Sequence, residues 1–209
     1  MKTILIAAFF VAASTASAQW EFGAVGGGGL LSNASAIAPT GSATAGFAPG
    51  FATGAFAGEA LNSHISGEIR YEFLQSNLEL SSGGQKAQFS GIAHAVHYDV
   101  VVHTSRHESR VQFFGVIGGG MKAFVGTGTE AATQPLSQFG YFTKTQTIKP
   151  MVNAGAGFVY QISPHVAIRS EVRDFVTQFP TAVITPPQGV KYSSFLQQVV
   201  PMVSLVYSK

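Results

Sequence analysis

Charged side chains at alternate positions of apolar segments are the residues of this sequence best able to do chemistry. In the segment 65–73, Glu68 and Arg70 alternate with Ile69 and Tyr71, and the segment 166–173 repeats this pattern. Alternation with a period of two is typical of a strand that has one apolar and one polar face. By the same parity, eight charged residues fall on polar faces: Glu68, Arg70, Glu72, Asp99, Lys122, Arg169, Glu171 and Arg173.

These eight residues comprise four acids and four bases, which makes two kinds of chemistry available. Carboxylates that face arginine and lysine side chains inside a protein form a neutral network, because a buried charge is tolerated only with a partner. The same groups could instead line a narrow gated conduit or a proton path. We expect the first, a structural network in which all four basic side chains face carboxylates.

The histidines could suggest a metal site, but their spacing does not favour one. His94 and His97 are three residues apart and therefore face opposite sides of one strand. His103 and His107 fall in one predicted turn, where solvated and unpaired rings are expected. Parity places His94 on an apolar face, which a bulge or a neutral tautomer would make tolerable. We therefore expect no metal ion and no other cofactor.

The composition excludes several classes of protein. Charged residues make up 11% of the chain, against about 25% in an ordinary soluble domain, which excludes a charge-covered surface. The net charge of +2 predicts no nucleic-acid partner. A helical membrane protein is disfavoured, because no window of 18 consecutive apolar residues follows the N-terminal region. The sequence has no cysteine, which excludes disulfides and thiolate metal sites.

The first 18 residues have the pattern of a secretory signal peptide. Lys2 precedes the apolar run 4–13, and Ala16 and Ala18 form a small-x-small cleavage site before Gln19. The apolar run is about ten residues long, which is too short for a retained helical anchor. We predict that residues 1–18 are removed and that residues 19–209 form one domain.

Turn signals divide the rest of the chain into candidate strands. Eight strands are predicted, at 19–31, 47–59, 65–75, 87–102, 111–126, 148–162, 166–176 and 195–208. The connections alternate between long and short, and the long ones are 32–46, 76–86, 127–147 and 177–194. An even strand number with this alternation is typical of barrels in the bacterial outer membrane. We therefore predict an all-β fold, an eight-stranded antiparallel up-and-down transmembrane β-barrel with four extracellular loops.

Aromatic residues cluster near the predicted strand ends, as they do at the two interfaces of a membrane. The set predicted to lie at these interfaces is Trp20, Phe22, Tyr71, Phe73, Tyr98, Phe158, Tyr160 and Tyr207. Phe47, Phe89 and Phe124 are also placed near the outer interface. The alternative is that the aromatic residues fill the core of a secreted, soluble β-sandwich.

Three stretches carry a resemblance to a known family. They are VVHTSRHESRVQFFGVIGGGMKAF, from Val101 to Phe124, and the later stretches YQISPHVAIRSEVRDF and SFLQQVVPMVSLVYSK. They resemble small bacterial outer-membrane β-barrel proteins of the OmpA-like and porin-like group, over essentially the whole predicted mature chain. The resemblance implies a place in the outer membrane of a Gram-negative cell. It also implies contact with outer-membrane lipid and lipopolysaccharide, and recognition by the outer-membrane assembly machinery.

One departure from this group concerns the assembly signal, which usually ends in an aromatic residue. Tyr207 and Leu205 occupy expected alternate positions, but the last residue is Lys209. The resemblance also raises a hydrolase alternative, because some barrels of this size modify lipids with a histidine and a serine. Ser90 and His94 are the nearest such pair, and a strand would hold them about 13 Å apart, too far for a direct hydrogen bond.

These observations predict a structural or surface-interaction role through the extracellular loops. An eight-stranded barrel has an interior that side chains can fill, so we expect the charged network to plug it. Two alternatives remain open: a narrow pore or binder of small apolar molecules, and a lipid-modifying hydrolase. We expect no enzyme activity, and we expect a monomer.

Overall fold

A computed structural model describes residues 19–31, 34–39, 41–104, 109–192 and 195–209. The predicted signal peptide and His107 lie outside the described residues. Within the described ranges the chain consists of strands and their connections, without a helix, as predicted. Those ranges hold no helix that is long and apolar enough to cross a membrane.

Fifteen strands form in the described residues. In chain order they are β1 (Trp20–Leu31), β2 (Ala34–Ala38), β3 (Gly41–Phe47), β4 (Gly50–Ala60), β5 (Ile65–Gln75), β6 (Leu78–Ser82), β7 (Gln85–Phe89), β8 (Gly91–His103), β9 (Val111–Gly126), β10 (Tyr141–Phe142), β11 (Gln146–Ser163), β12 (Val166–Gln178), β13 (Ile184–Thr185), β14 (Lys191–Tyr192) and β15 (Phe195–Ser208).

Eight of the strands close into an antiparallel barrel in the order β1, β15, β12, β11, β9, β8, β5 and β4. The predicted fold class is therefore confirmed. The ends of these strands lie within four residues of the predicted ends. The three short connections join strands at one end of the barrel, and the four long connections leave from the other end.

Alternation fixes which side chains face the barrel interior. In β5, Ile69 is 56% exposed on the outside, whereas its neighbour Glu68 is 3% exposed on the inside. The same alternation runs through β12, where Val172 faces outward and Arg173 is buried. Apolar residues thus form the outer surface of the barrel, and the charged residues of β5 and β12 lie within it.

Two of the long connections, those between β1 and β4 and between β5 and β8, consist largely of further strands in their described residues. Strands β14, β2, β3, β6 and β7 form a five-stranded sheet, in that order, which we call the cap sheet. A separate pairing joins β10 to β13. The sequence predicted loops here because the segments are short and rich in Ala, Ser and Gly, a composition that also suits turns. The cap sheet satisfies backbone hydrogen bonds that a loop would leave to water.

The apolar core of the barrel interior continues into the space under the cap sheet. Ala36, Ala45 and Leu80 are fully buried in it, and the phenol of Tyr192 donates a hydrogen bond to the carbonyl of Phe139 at 2.8 Å. Burial raises the pKa of Tyr192 above its ordinary value. The cap sheet therefore packs as a small folded unit on the open end of the barrel.

The buried aromatic residues correct one prediction. Phe47, Phe89 and Phe124, which were placed at the outer membrane interface, are each at most 8% exposed. Phe124 points into the barrel and stacks on Phe47 of the cap sheet, with ring centroids 5.3 Å apart. Phe89 stacks on Phe142 at 5.7 Å. Phe124 faces inward because it has the same parity as Lys122 on β9. Phe47 and Phe89 belong to the cap-sheet strands β3 and β7, which the sequence did not predict as separate strands.

Candidate functional site in the barrel interior

The eight charged residues singled out by parity all lie inside the barrel. They come from β5, β8, β9 and β12, and each is at most 3% exposed. Seven of them form one connected cluster, which we call the arginine network: Arg70, Arg169, Arg173, Glu68, Glu72, Asp99 and Glu171.

Three ion pairs of this network join β5 to β12 across the interior, and two of them involve Arg70 and Arg169. Strands β5 and β12 stand opposite each other, with three strands between them on either side. Arg70 of β5 holds Glu171 of β12, with Nη1 and Oε1 2.6 Å apart. In the reverse direction, Arg169 of β12 holds Glu68 of β5, with Nη1 and Oε2 2.7 Å apart. The two strands are therefore braced against each other across the barrel axis.

Arg173 is the centre of the network. Its guanidinium contacts three carboxylates: Glu68 at 2.5 Å, Glu171 at 3.1 Å, and Asp99. These acids come from β5, β12 and β8, so one side chain links three strands. A guanidinium suits this position because its five N–H donors form a planar fork that can serve several carboxylates.

Lys122 departs from the predicted pairing. Among the described residues, no carboxylate forms a direct ion pair with its ammonium, although the charge of Glu72 attracts it from a longer distance. Its Nζ donates instead to Oε1 of Gln198, and it lies 5.2 Å from the ring centroid of Phe124 and 5.8 Å from that of Phe175. Cation–π contacts of this kind partly replace a counterion.

Two polar residues of the network were missed by the sequence analysis. Asp99 Oδ1 accepts a hydrogen bond from Asn153 Nδ2 at 2.9 Å and lies 2.9 Å from Nδ1 of His97. Asn153 also accepts a bond from Arg173 at 3.3 Å. Parity could have identified both residues, since His97 is two positions from Asp99 and Asn153 faces away from the exposed Val152.

Two other histidines have environments that the sequence did not predict. His94 faces outward on β8 without a bulge, and its Nδ1 lies 2.9 Å from the hydroxyl of Tyr71. His103 is not a solvated turn residue: it ends β8, is 6% exposed, and its Nε2 lies 3.0 Å from Oγ of Ser66. The predicted turn begins only after it, because strand pairing continues to this residue.

Comparison with known proteins identifies the family. Residues 3–198 match the model of the outer membrane protein beta-barrel domain. The chain belongs to this family. Its barrel is similar to the crystal structure of Neisserial surface protein A, with a TM-score of 0.55, 10% identity, and coverage of 90% of this chain and 96% of that one.

The barrel is also similar to the crystal structure of OprG from Pseudomonas aeruginosa. The TM-score is 0.56 and the identity 13%, over 90% of this chain and 95% of that one. A comparison with curated protein sequences found no match. The family and the fold place the protein in the bacterial outer membrane. The end with short turns is then periplasmic and the cap sheet extracellular, as in other barrels of this membrane.

The aromatic residues predicted for the membrane interfaces all lie on the outside of the barrel. Seven of the eight are exposed by 38–54%, and Phe73 is half-buried. Trp20 and Phe22 stack near the periplasmic end, with ring centroids 6.4 Å apart. Near the extracellular end, Phe73 contacts Phe51 at 5.7 Å and His94 at 5.6 Å.

The outward face of β5 gives a direct test of membrane orientation. Ile69 lies in the middle of this strand and is 56% exposed. We expect Ile69→Arg to lower the free energy of unfolding by about 2–4 kcal/mol, the cost of an arginine at the bilayer midplane. Ile69→Leu, which keeps an apolar side chain, should be nearly neutral. A urea titration in lipid bilayers measures both, and equal stability of the two variants would contradict the lipid-facing assignment.

The two ends of the interior differ in chemistry. At the periplasmic end a cavity of about 250 Å³ opens, lined in part by Gln19, Glu21 and Gln161 and reaching Arg169. The extracellular end is occupied by an apolar layer under the cap sheet: Phe47, Leu74, Leu80, Phe124 and Leu196. The arginine network lies between the polar cavity and this layer.

Proposed function

We propose that the protein is a structural and surface-interaction component of the outer membrane, with a closed interior and an extracellular cap sheet that contacts other molecules. The proposal rests on two layers of side chains, one charged and one aromatic, that lie one above the other in the narrow interior. Arg70, Arg169 and Arg173 span it with ion pairs, and Phe124 stacked on Phe47 lies above them.

The polar face of the cap sheet supports a role at the cell surface. Ser35, Thr44, Ser81 and Lys86 are directly paired across β2, β3, β6 and β7, which gives a continuous row of hydroxyls ending in an ammonium. A cleft of about 470 Å³ runs beside this row. An ordered polar surface on a rigid scaffold is the usual location of binding residues.

The expected membrane partners remain part of this proposal. Outer-membrane lipid and lipopolysaccharide would surround the apolar outer surface, and the assembly machinery would recognise β15, where Val203, Leu205 and Tyr207 all face outward. A monomer suits the barrel, because closure leaves no strand edge within the membrane-spanning part.

The hydrolase alternative receives no support from the geometry of its candidate pair. His94 is hydrogen-bonded to Tyr71 and packs against Phe73. Ser90 lies directly before the first residue of β8, and its backbone carbonyl accepts hydrogen bonds from the N–H groups of Thr127 and Gly128. A nucleophile and its base must lie within hydrogen-bond reach. We therefore keep the non-enzymatic role as the proposal.

Photo-crosslinking in intact cells tests the surface-interaction role. A benzophenone amino acid at Ser42, an exposed residue of the cap sheet, should give covalent adducts with a second macromolecule. The same probe at Val96, which is 50% exposed on the lipid-facing side of β8, should give adducts with lipid only. Adducts that are absent at Ser42, or identical at the two positions, would contradict the proposal.

A further inference from the structure

Strand β7 is an edge of the cap sheet, and its backbone has groups that the sheet does not use. It pairs with β6 through a hairpin whose turn is Gly83-Gly84, with φ angles of 57° and 79°. A two-residue turn of this kind makes Ser82 and Gln85 a hydrogen-bonded pair, and such pairs alternate along an antiparallel ladder. Lys86 and Gln88 therefore direct their N–H and C=O groups away from β6.

These groups have no backbone partner among the described residues. Exposed edges are commonly protected by charged side chains that lie over them. Here the side chains lean the other way: Lys86 Nζ lies 3.3 Å from Glu79 Oε1, and Gln88 Nε2 donates to Glu79 Oε2 at 2.7 Å. Because Glu79 belongs to β6, both side chains point over the sheet and leave the edge open.

A groove of about 240 Å³ runs along this edge. One wall is β7, and the other is formed by Thr129, Ala131, Gln134 and Pro135. The second wall is held in place because the amide of Gln134 both donates to the carbonyl of Phe142, at 2.9 Å, and accepts from its N–H, at 2.8 Å. Phe142 lines the groove and stacks on Phe89, which gives it an apolar floor.

We propose that this groove binds an extended peptide segment of another protein by β-strand addition to β7. The peptide backbone would pair with Lys86 and Gln88, and alternate apolar side chains would contact Phe89 and Phe142. The opposite wall, formed by Thr129, Ala131, Gln134 and Pro135, would keep a second cap sheet away from this edge. This inference rests on the proposed surface-interaction function and names the chemistry of its partner.

A proline substitution tests the main-chain pairing directly. Gln88→Pro removes the N–H that faces the groove, and it leaves the β6 ladder intact because β6 does not use that donor. Gln88→Ala is the matched control, since it loses the same side chain but keeps the N–H. The probe is a phage-displayed library of random decapeptides, selected on the full barrel in lipid nanodiscs.

We expect enriched peptides in which apolar and polar residues alternate. They should bind Gln88→Ala within about threefold of the wild type and bind Gln88→Pro at least tenfold more weakly, while amide exchange in β6 stays unchanged. A library without enriched peptides, or peptides that bind the proline variant as well as the alanine variant, would overturn the inference. If the peptide experiment fails but crosslinking at Ser42 still gives adducts, the proposed surface-interaction function would be retained and only the peptide partner rejected.

Discussion

Replacement of Arg173 by methionine is expected to lower the free energy of unfolding by about 3–5 kcal/mol. The variant removes the one cation that contacts Glu68, Glu171 and Asp99 together. Methionine retains much of the side-chain volume, so the loss reports the uncompensated charges and not an empty cavity. Glu68, Glu72 and Glu171 would then share Arg70 and Arg169. Asp99 would lose its guanidinium and keep only His97 and Asn153 as partners.

Lys122→Met is the matched control for this prediction. Lys122 is as deeply buried as Arg173, but its direct contacts are Gln198 and two aromatic rings, and the carboxylate of Glu72 acts on it only from a longer distance. Because no carboxylate contacts Lys122 directly, its removal breaks no direct ion pair. We expect a clearly smaller loss in the free energy of unfolding. Urea titration in bilayers, followed by heat-modifiable gel migration, measures both variants. Equal losses would mean that burial alone, and not the network, determines stability.

The barrel could be predicted from the sequence because its strands largely alternate between outward apolar and inward polar side chains. In β5, the alternation of Ile69 and Glu68 is enough to assign the two faces. The sequence also indicates that Arg70 and Arg169 lie opposite each other, because β5 and β12 are the third and seventh strands of an eight-stranded barrel. Each arginine does pair with a carboxylate of the opposite strand.

The cap sheet could not be predicted in the same way. Strands such as β2 and β6 have five residues each, and a core of Ala36, Ala45 and Leu80 provides a weak alternating signal among serines and glycines. Their pairing also joins segments that are distant in the chain, since β14 binds β2. The position of Lys122 escaped prediction because parity gives the face of a side chain and not its nearest partner.

The proposed closed interior would place two barriers in series, and this arrangement leads to a specific expectation for ion conduction. The arginine network forms the first barrier, and the apolar layer beneath the cap sheet forms the second. A path through the barrel would need to pass both. If the proposed closed interior is correct, the wild-type barrel should give no steady conductance in planar lipid bilayers, because two filled layers would interrupt a column of water.

Single substitutions separate the two barriers. Arg70→Ala removes an ion pair that crosses the interior, and Phe124→Ala removes the ring that stacks on Phe47. Each variant alone should remain closed, since the other barrier is intact, and the double variant should give reproducible channels. Stable channels in the wild type would instead favour the pore alternative, with the arginines lining its gate. Channels in Arg70→Ala alone would show that the apolar layer is permeable and that the network by itself keeps the barrel shut.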